Sequence, residues 1–325
     1  HPLNPLPPFP LSLGERGKGG EGRNYEFFTV NIATPRVFQK HIKEIMSLKI
    51  IETPRDGFQG IEMFIPTAVK TAYINQLFRA GFETVEVGSF VSPKAIPQMK
   101  DTPEVIAGLD LRGTDTKVMA LVANMKGGLE AVRYNLIDQL YFPFALSETF
   151  QRRNINSDFR QSKKLVRDLN ELAKAHKKEL LVVISMGFGN PYGDPWSVDM
   201  LLDIAGYFHE QGFRTLPIAD VVGLAGPDLI HKVYTALIPA LPDMEFGIHL
   251  HTTPSTYYEK VDAAYSAGVR RFDTVLGGIG GCPMTDRELL GNLNTLSLIE
   301  YCEKNGIEHG LDAGLLRALS QTYSF

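Results

Sequence analysis

The sequence SLKIIETPRDGFQ (residues 47–59) begins with an apolar run typical of a strand and continues directly into a charged segment. The same order, a short β-branched run followed by a longer amphipathic stretch, recurs along the rest of the chain. It predicts eight strands, at residues 48–52, 84–87, 117–123, 139–142, 180–185, 215–218, 246–251 and 271–275. Helical periodicity lies between them, at residues 67–80, 162–176, 197–211, 227–240 and 257–267.

Eight strand–helix pairs in this order predict an α/β protein with a closed (β/α)8 TIM barrel, and about 280 residues suit one. The alternative is a doubly wound open sheet, which is less favoured because no glycine-rich dinucleotide fingerprint follows the first strand. We expect residues 46–325 to form one catalytic domain. Residues 1–23 are rich in Pro and Gly and lack periodicity, so residues 1–45 are predicted to be a flexible or spurious N-terminal extension.

The composition excludes several classes of partner and compartment. The net charge is −4 and residues of both signs are interspersed. The sequence has no basic stripe, so nothing in it indicates nucleic-acid binding. The only two cysteines, Cys282 and Cys302, do not make a disulfide framework, and free thiols suit a reducing cytoplasm. No apolar run approaches the roughly 20 residues of a membrane helix, and no apolar signal segment is recognisable. The sequence therefore predicts a cytoplasmic protein without a membrane partner.

Polar residues that could take part in catalysis or metal binding follow the predicted strands, at the end of a barrel where active sites lie. Arg55 and Asp56 come directly after the first strand. An aspartate there can bind a divalent cation, and an arginine beside it can stabilise an oxyanion. The alternative is an ordinary turn, because Asp-Gly is common in turns.

His249 and His251 end the seventh strand, and side chains two residues apart on a strand share one face. Two imidazoles can therefore meet at one metal ion. The alternative is a pair of histidines in ordinary hydrogen bonds. The glycine-rich run 277–281 follows the eighth strand and leads into Cys282, a candidate acid/base group on a loop that can move as a lid. A phosphate-binding loop with an incidental cysteine is the alternative.

Asn292, a little further on, could complete an oxygen-rich shell around a metal. Glu86, near the end of the second strand, could orient Arg55, although a buried glutamate paired with any basic group would look the same. One Asp, two His and one Asn favour Mg²⁺ or Mn²⁺ as the cofactor over a closed structural Zn²⁺ site. Mixed nitrogen and oxygen ligation keeps Zn²⁺ and Co²⁺ open.

Taken together, these motifs resemble the 3-hydroxy-3-methylglutaryl-CoA lyases of the DRE-TIM metallolyase family, over residues 49–313. The motifs that carry the resemblance are PRDGFQ (54–59), EVGSFVSPKAIPQM (86–99), ANMKG (123–127), SETFQRRNIN (147–156), SMGFGNPYG (185–193), HLH (249–251) and GGCP (280–283). Several motifs in one order make a chance match improbable.

The resemblance implies a TIM barrel with a divalent cation held by Asp56, His249, His251 and Asn292. It also implies Arg55 as the oxyanion stabiliser, Cys282 on a mobile loop, and cleavage of an acyl-CoA substrate to acetyl-CoA and acetoacetate. As to partners, the sequence indicates a small-molecule acyl-CoA and no nucleic acid, and it allows a homodimer. A related metal-dependent aldolase or Claisen-condensing synthase is the alternative activity, and a barrel that binds ligand without turnover is the alternative of another class.

Overall fold

The computed structural model describes residues 48–281, 290–323 and 325. Eight parallel strands pair in sequence order, and β8 pairs with β1 to close the barrel. They are β1 (Lys49–Glu52), β2 (Thr84–Ser89), β3 (Lys117–Leu121), β4 (Gln139–Ala145), β5 (Glu179–Ser185), β6 (Thr215–Asp220), β7 (Glu245–Leu250) and β8 (Arg271–Thr274). The predicted TIM barrel is confirmed, and the open-sheet alternative is wrong.

Helices follow the strands and cover the outside of the barrel. They are α1 (Pro54–Gln59), α2 (Thr67–Leu77), α3 (Thr102–Ala107), α4 (Met125–Ala131), α5 (Glu148–Ile155), α6 (Phe159–Ala175), α7 (Val198–Glu210), α8 (Pro227–Ala240), α9 (Tyr257–Ser266), α10 (Thr295–Asn305) and α11 (Ala313–Thr322). The five helices predicted from periodicity are all present within a few residues of the expected bounds, because their apolar faces pack on the barrel.

The apolar core has two layers. The larger layer lies between strands and helices, whereas a smaller cluster fills the barrel interior. The interior cluster contains Ile51, Met119, Tyr141, Leu181, Val183 and Ala219. Because strands of a parallel barrel are buried on both faces, their sequences are nearly continuous apolar runs. Strand β4 shows this most clearly, since all its residues are buried.

Glu52, at the end of β1, is a fully buried carboxylate that joins distant parts of the chain. It accepts hydrogen bonds from the Thr295 hydroxyl at 2.6 Å, the Leu276 backbone N–H at 2.6 Å and the Thr274 hydroxyl at 3.2 Å. Burial raises the pKa of Glu52 to about 7, and these three donors lower it only in part. Glu52 therefore ties β1 to β8 and to the start of α10.

The raised pKa of Glu52 makes stability depend on pH. Because its folded pKa of about 7 exceeds the ordinary value of 4.5, the protonated carboxyl stabilises the fold. This contribution is complete below about pH 4.5 and is lost as the pH rises through about 7. We expect Glu52→Gln to lack this pH-dependent loss of stability. Between about pH 4.5 and about pH 7, the unfolding free energy of the variant should therefore rise by about 3 kcal/mol relative to that of the unsubstituted chain. Urea unfolding of both chains at about pH 4.5 and about pH 7 measures this difference in unfolding free energy. A difference that does not change with pH would contradict the raised pKa of Glu52.

Two expectations from the sequence fall outside the described residues. They are the flexible or spurious extension at residues 1–45, of which the structure describes nothing, and the position of Cys282. Among the helices of the described ranges, none combines the length and the apolar character needed to cross a bilayer.

Candidate metal centre and active site

Arg55 and Asp56 lie in the first turn of α1, directly beyond β1. Pro54 begins this short helix, where the fixed φ of proline is favourable and its missing N–H costs nothing. The Asp-Gly pair is therefore helical, and the alternative of an ordinary turn is wrong. Both side chains are buried, so α1 holds a positive and a negative group at the carboxyl end of the barrel.

Arg55 is fixed by three partners. Its Nη2 donates to Glu86 Oε2 at 2.8 Å, and its Nη1 donates to Asp56 Oδ1 and to Gln59 Oε1, each at 3.0 Å. Burial opposes its charge, but Glu86 and Asp56 raise the pKa of Arg55 further above its usual value. Its Nε is buried without a hydrogen-bond partner among the described residues. Arg55 is therefore a permanently charged donor held in one orientation, with Glu86 placed as a partner.

Asp56, His249 and His251 come together at this end of the barrel. Each offers one ligand atom, and the three atoms lie within 4.8 Å of one another. His249 Nε2 lies 3.5 Å from Asp56 Oδ2. Burial raises the pKa of Asp56, but Arg55 and His249 reverse that effect and hold it well below its usual value. An ionised carboxylate and two imidazoles at this spacing form a candidate metal site.

His251 presents one nitrogen to the cluster because the other is occupied. Its Nδ1 lies 2.6 Å from the Leu290 carbonyl oxygen, to which a neutral imidazole donates. Burial and the neighbouring His249 lower the pKa of His251, so the neutral form is favoured. The Nε2 lone pair is thereby left for a cation, as in metal sites where the second ring nitrogen donates to an oxygen.

Asn292 joins the cluster from the segment after the glycine-rich loop. It pairs with His251 in an isolated antiparallel bridge, and its Nδ2 donates to the Ile279 carbonyl at 2.9 Å. Its Oδ1 is buried and accepts no hydrogen bond from the described residues, which suits an oxygen that binds a cation. A Cβ at Gly280 would lie 2.6 Å from the Asp56 carbonyl oxygen, so only glycine permits the loop to pass this close.

Asp273 is a member of the site that the sequence analysis missed. Its Oδ2 lies 3.5 Å from His249 Nδ1 and accepts a hydrogen bond from the Tyr141 hydroxyl at 3.3 Å. His249 is thus placed between the carboxylates of Asp273 and Asp56. Burial alone would lower the pKa of His249, but these carboxylates raise it to about 10. The signal that could have identified Asp273 was a charged residue in the strand β8, which the barrel buries on both faces.

A cavity of 380 Å³ opens beside this cluster. Arg55, Asp56, His249 and His251 line one part of it. The interior residues Leu121, Val183, Ala219 and Val221 supply an apolar floor. Polar side chains from β2, β5, α5 and the neighbouring loops also line it, namely Ser89, Ser92, Asn124, Arg153, Asn154, Asn156 and Ser185. A cavity with an apolar floor and a few convergent polar groups is typical of a small-molecule site.

TIM-barrel enzymes have their active sites at the carboxyl end of the barrel. The cavity and the candidate metal site lie at that end, so the fold and the site together define an enzyme of this class. Within that class, the chain belongs to the HMGL-like family, which it matches over residues 47–322. The family resemblance inferred from the motifs is therefore confirmed.

Two curated relatives are carbon–carbon lyases by name. The hydroxymethylglutaryl-CoA lyase YngG of Bacillus subtilis is 31% identical over 255 residues, which cover 78% of this chain and 84% of that protein. The (R)-citramalyl-CoA lyase of Chloroflexus aurantiacus is 30% identical over 290 residues, which cover 83% of this chain and 88% of that protein. This sequence similarity confirms the prediction that the chain is a carbon–carbon lyase.

A solved structure is similar over most of its length. It is an HMG-CoA lyase from Acinetobacter baumannii in complex with coenzyme A and 3-methylmalate, with a TM-score of 0.80 and 33% sequence identity. The match covers 86% of this chain and 90% of that chain. The carboxyl transferase domain of Rhizobium etli pyruvate carboxylase, at 17% identity and a TM-score of 0.65, shares the fold alone.

Proposed function

We propose that this chain cleaves 3-hydroxy-3-methylglutaryl-CoA to acetyl-CoA and acetoacetate with the help of a divalent cation. The observation that carries the proposal is the meeting of a fixed, charged Arg55 with the Asp56–His249–His251 cluster at the edge of one cavity. The named relatives, one of them solved with coenzyme A, support an acyl-CoA substrate.

Asp56, His249, His251 and Asn292 are the residues that would hold the cation. They fit one because the Asn292 oxygen is buried without a protein donor and because neutral His251 keeps a nitrogen free. Mg²⁺ or Mn²⁺ would suit this set of two oxygen and two nitrogen donors. A divalent cation there would supply positive charge that makes the substrate hydroxyl more acidic.

Cleavage begins when the tertiary hydroxyl loses its proton. Asp56 and His249 are the two candidate acceptors, and the lowered pKa of Asp56 makes it the weaker base. His249 is the acceptor that we favour, because Asp273 Oδ2 lies 3.5 Å from its Nδ1 and can stabilise the imidazolium that forms when a neutral ring takes the proton. A nitrogen that holds a cation cannot take the proton, so this role requires a free ring nitrogen.

Arg55 would act on the departing fragment. When the carbon–carbon bond breaks, its electron pair moves into the thioester as an enolate, and negative charge develops on the thioester oxygen. Arg55 lines the cavity, and Glu86 and Asp56 already hold it in place, so little reorganisation is needed when that charge appears. Enolate stabilisation is the role that we propose for it.

Cys282 remains a predicted acid/base group that helps protonate the enolate carbon. We expect Cys282→Ser to lower kcat by about 10²-fold, the size of a lost general acid, with metal affinity unchanged. An alkylating reagent should inactivate the native enzyme and label one thiol per chain. Cys302 is the internal control, because it is buried and burial raises the pKa of its thiol to about 12. Full activity after labelling of Cys282 would place that residue outside the reaction.

A second candidate substrate is (R)-citramalyl-CoA, because a lyase of that name is as similar to this chain as the hydroxymethylglutaryl-CoA lyases are. In that molecule the carboxylate is attached to the hydroxyl-bearing carbon, so the same cleavage would yield a 2-oxo acid. Measuring kcat/KM for both thioesters with Mn²⁺ present separates them. Our proposal requires the higher value for 3-hydroxy-3-methylglutaryl-CoA, and a preference for citramalyl-CoA would replace it.

The products formed also separate the proposed lyase from a related aldolase, a Claisen-condensing synthase and a barrel that only binds ligand. An aldolase or synthase would turn over 2-oxo acids and leave 3-hydroxy-3-methylglutaryl-CoA intact. A binding barrel would show heat of binding in calorimetry without any product. A cytoplasmic location and a homodimer stay predictions, and a role in leucine degradation and ketone-body formation is proposed from the family resemblance alone.

A further inference from the structure

Lys260, on α9, is a buried lysine that the proposed reaction does not use. Its side chain is 8% exposed, and its Nζ lies 3.2 Å from Asp220 Oδ2. The same Nζ donates to the backbone carbonyl oxygen of His251 at 3.2 Å. An ammonium group is rarely buried unless it is paired, because the loss of hydration is costly. Both contacts are therefore needed to keep Lys260 in this place.

These contacts connect two neighbouring strand ends. Asp220 is the last residue of β6, and its Oδ2 also accepts a hydrogen bond from the Ala225 backbone N–H at 3.1 Å. His251 follows the last residue of β7. The described lining of the cavity includes His251 but neither Asp220 nor Lys260. Lys260 thus holds the two strand ends together from behind the cavity wall.

The backbone at His251 also fixes Asn292. The Thr252 N–H donates to the Gly291 carbonyl at 2.9 Å, and the Leu293 N–H donates to the Leu250 carbonyl at 2.9 Å. The two bonds flank the bridge between His251 and Asn292. A shift of the His251 carbonyl would therefore displace two of the four proposed ligands together.

We propose that Lys260 is a positioning residue that sets the geometry of His251 and Asn292 without touching metal or substrate. The inference rests on the metal site proposed above. Outer groups that orient metal ligands typically change metal affinity by about 10- to 100-fold when they are lost. Lys260 would act in the same way, but through the backbone of a ligand instead of its ring.

The test is the affinity of metal-free enzyme for Mn²⁺, measured by electron paramagnetic resonance without substrate. We expect Lys260→Met to bind Mn²⁺ about 10- to 100-fold more weakly than the native chain. Lys70→Met is the matched control. Lys70 is likewise buried, and its Nζ contacts Asp101 Oδ1 at 2.8 Å and the Gln98 carbonyl oxygen. It should lower stability similarly and leave Mn²⁺ affinity within about twofold, since none of these groups is a proposed ligand.

Lys260→Met leaves the Asp220 carboxylate buried without its cation, which could prevent folding. The double variant Lys260→Met/Asp220→Asn removes that charge while the His251 carbonyl still lacks its donor. It should fold and still bind Mn²⁺ at least about tenfold more weakly than the native chain. Native affinity in the double variant would overturn the positioning role. Failure of the native chain to bind Mn²⁺ would instead overturn the proposed metal site, and this inference with it.

Discussion

Asp56→Ala is expected to abolish turnover, with a loss of at least about 10³-fold in kcat, because a catalytic metal supplies several kcal/mol of charge stabilisation. The substitution removes the only carboxylate of the Asp56–His249–His251 cluster. Titration of the metal-free variant with Mn²⁺ should show severely weakened binding. Addition of excess Mn²⁺ should restore little activity, because the ion would lack its anionic ligand.

Asp101→Asn is the matched control for this substitution. Asp101 is also a buried aspartate in an ion pair, with Lys70 at 2.8 Å, but it does not belong to the cluster. We expect it to lose stability and to keep Mn²⁺ affinity. Near-native activity of Asp56→Ala in metal-limited buffer would show that the metal site has been assigned to the wrong residues.

The second large effect is expected for Arg55→Met. Removal of one oxyanion donor typically lowers kcat by about 10²- to 10³-fold, or roughly 3–4 kcal/mol. KM should change much less, because the enolate charge that Arg55 stabilises develops only in the transition state. Steady-state kinetics with saturating Mn²⁺ measure both values. An unchanged kcat with a raised KM would make Arg55 an anchor for a substrate carboxylate or phosphate.

Loss of Arg55 also leaves Glu86 without its ion pair, so stability has to be separated from catalysis. Burial already raises the pKa of Glu86 to about 7, and Arg55 is what opposes this rise. Glu86 in the variant can therefore take up a proton instead of remaining a buried charge. In Arg55→Met/Glu86→Gln the buried charge is absent, and the kcat defect should persist while the melting temperature recovers.

The barrel was predictable because its signal is local. A parallel strand buried on both faces is a continuous apolar run, so β4 and β5 are recognisable from the sequence without any partner. Bounds were less certain at strand ends, where β4 continues through Pro143 to Ala145. The short helix α1 was not predicted, because Asp-Gly is more typical of a turn and the fixed φ of Pro54 suits a turn as well as a first helical turn.

The site was predictable only where its residues stand together in the sequence. His249 and His251 stand two residues apart at the end of β7, and Arg55 adjoins Asp56. The contacts from Tyr141 to Asp273 and from Glu52 to Thr295 span 132 and 243 residues. Sequence spacing carries no information on such pairs, because barrel closure alone brings them together. Lys260 was missed for a related reason, since a lysine on an amphipathic helix is ordinarily exposed.

The central claim is that a divalent cation at Asp56, His249, His251 and Asn292 is required to cleave 3-hydroxy-3-methylglutaryl-CoA. Its most direct test is the rate of acetoacetate formation by enzyme stripped with a chelator, before and after addition of Mn²⁺. We predict no acetoacetate above background from the stripped enzyme, and restored formation, with acetyl-CoA in equal amount, once Mn²⁺ is added. Equal rates with and without metal, or an absence of acetoacetate in both, would contradict the account.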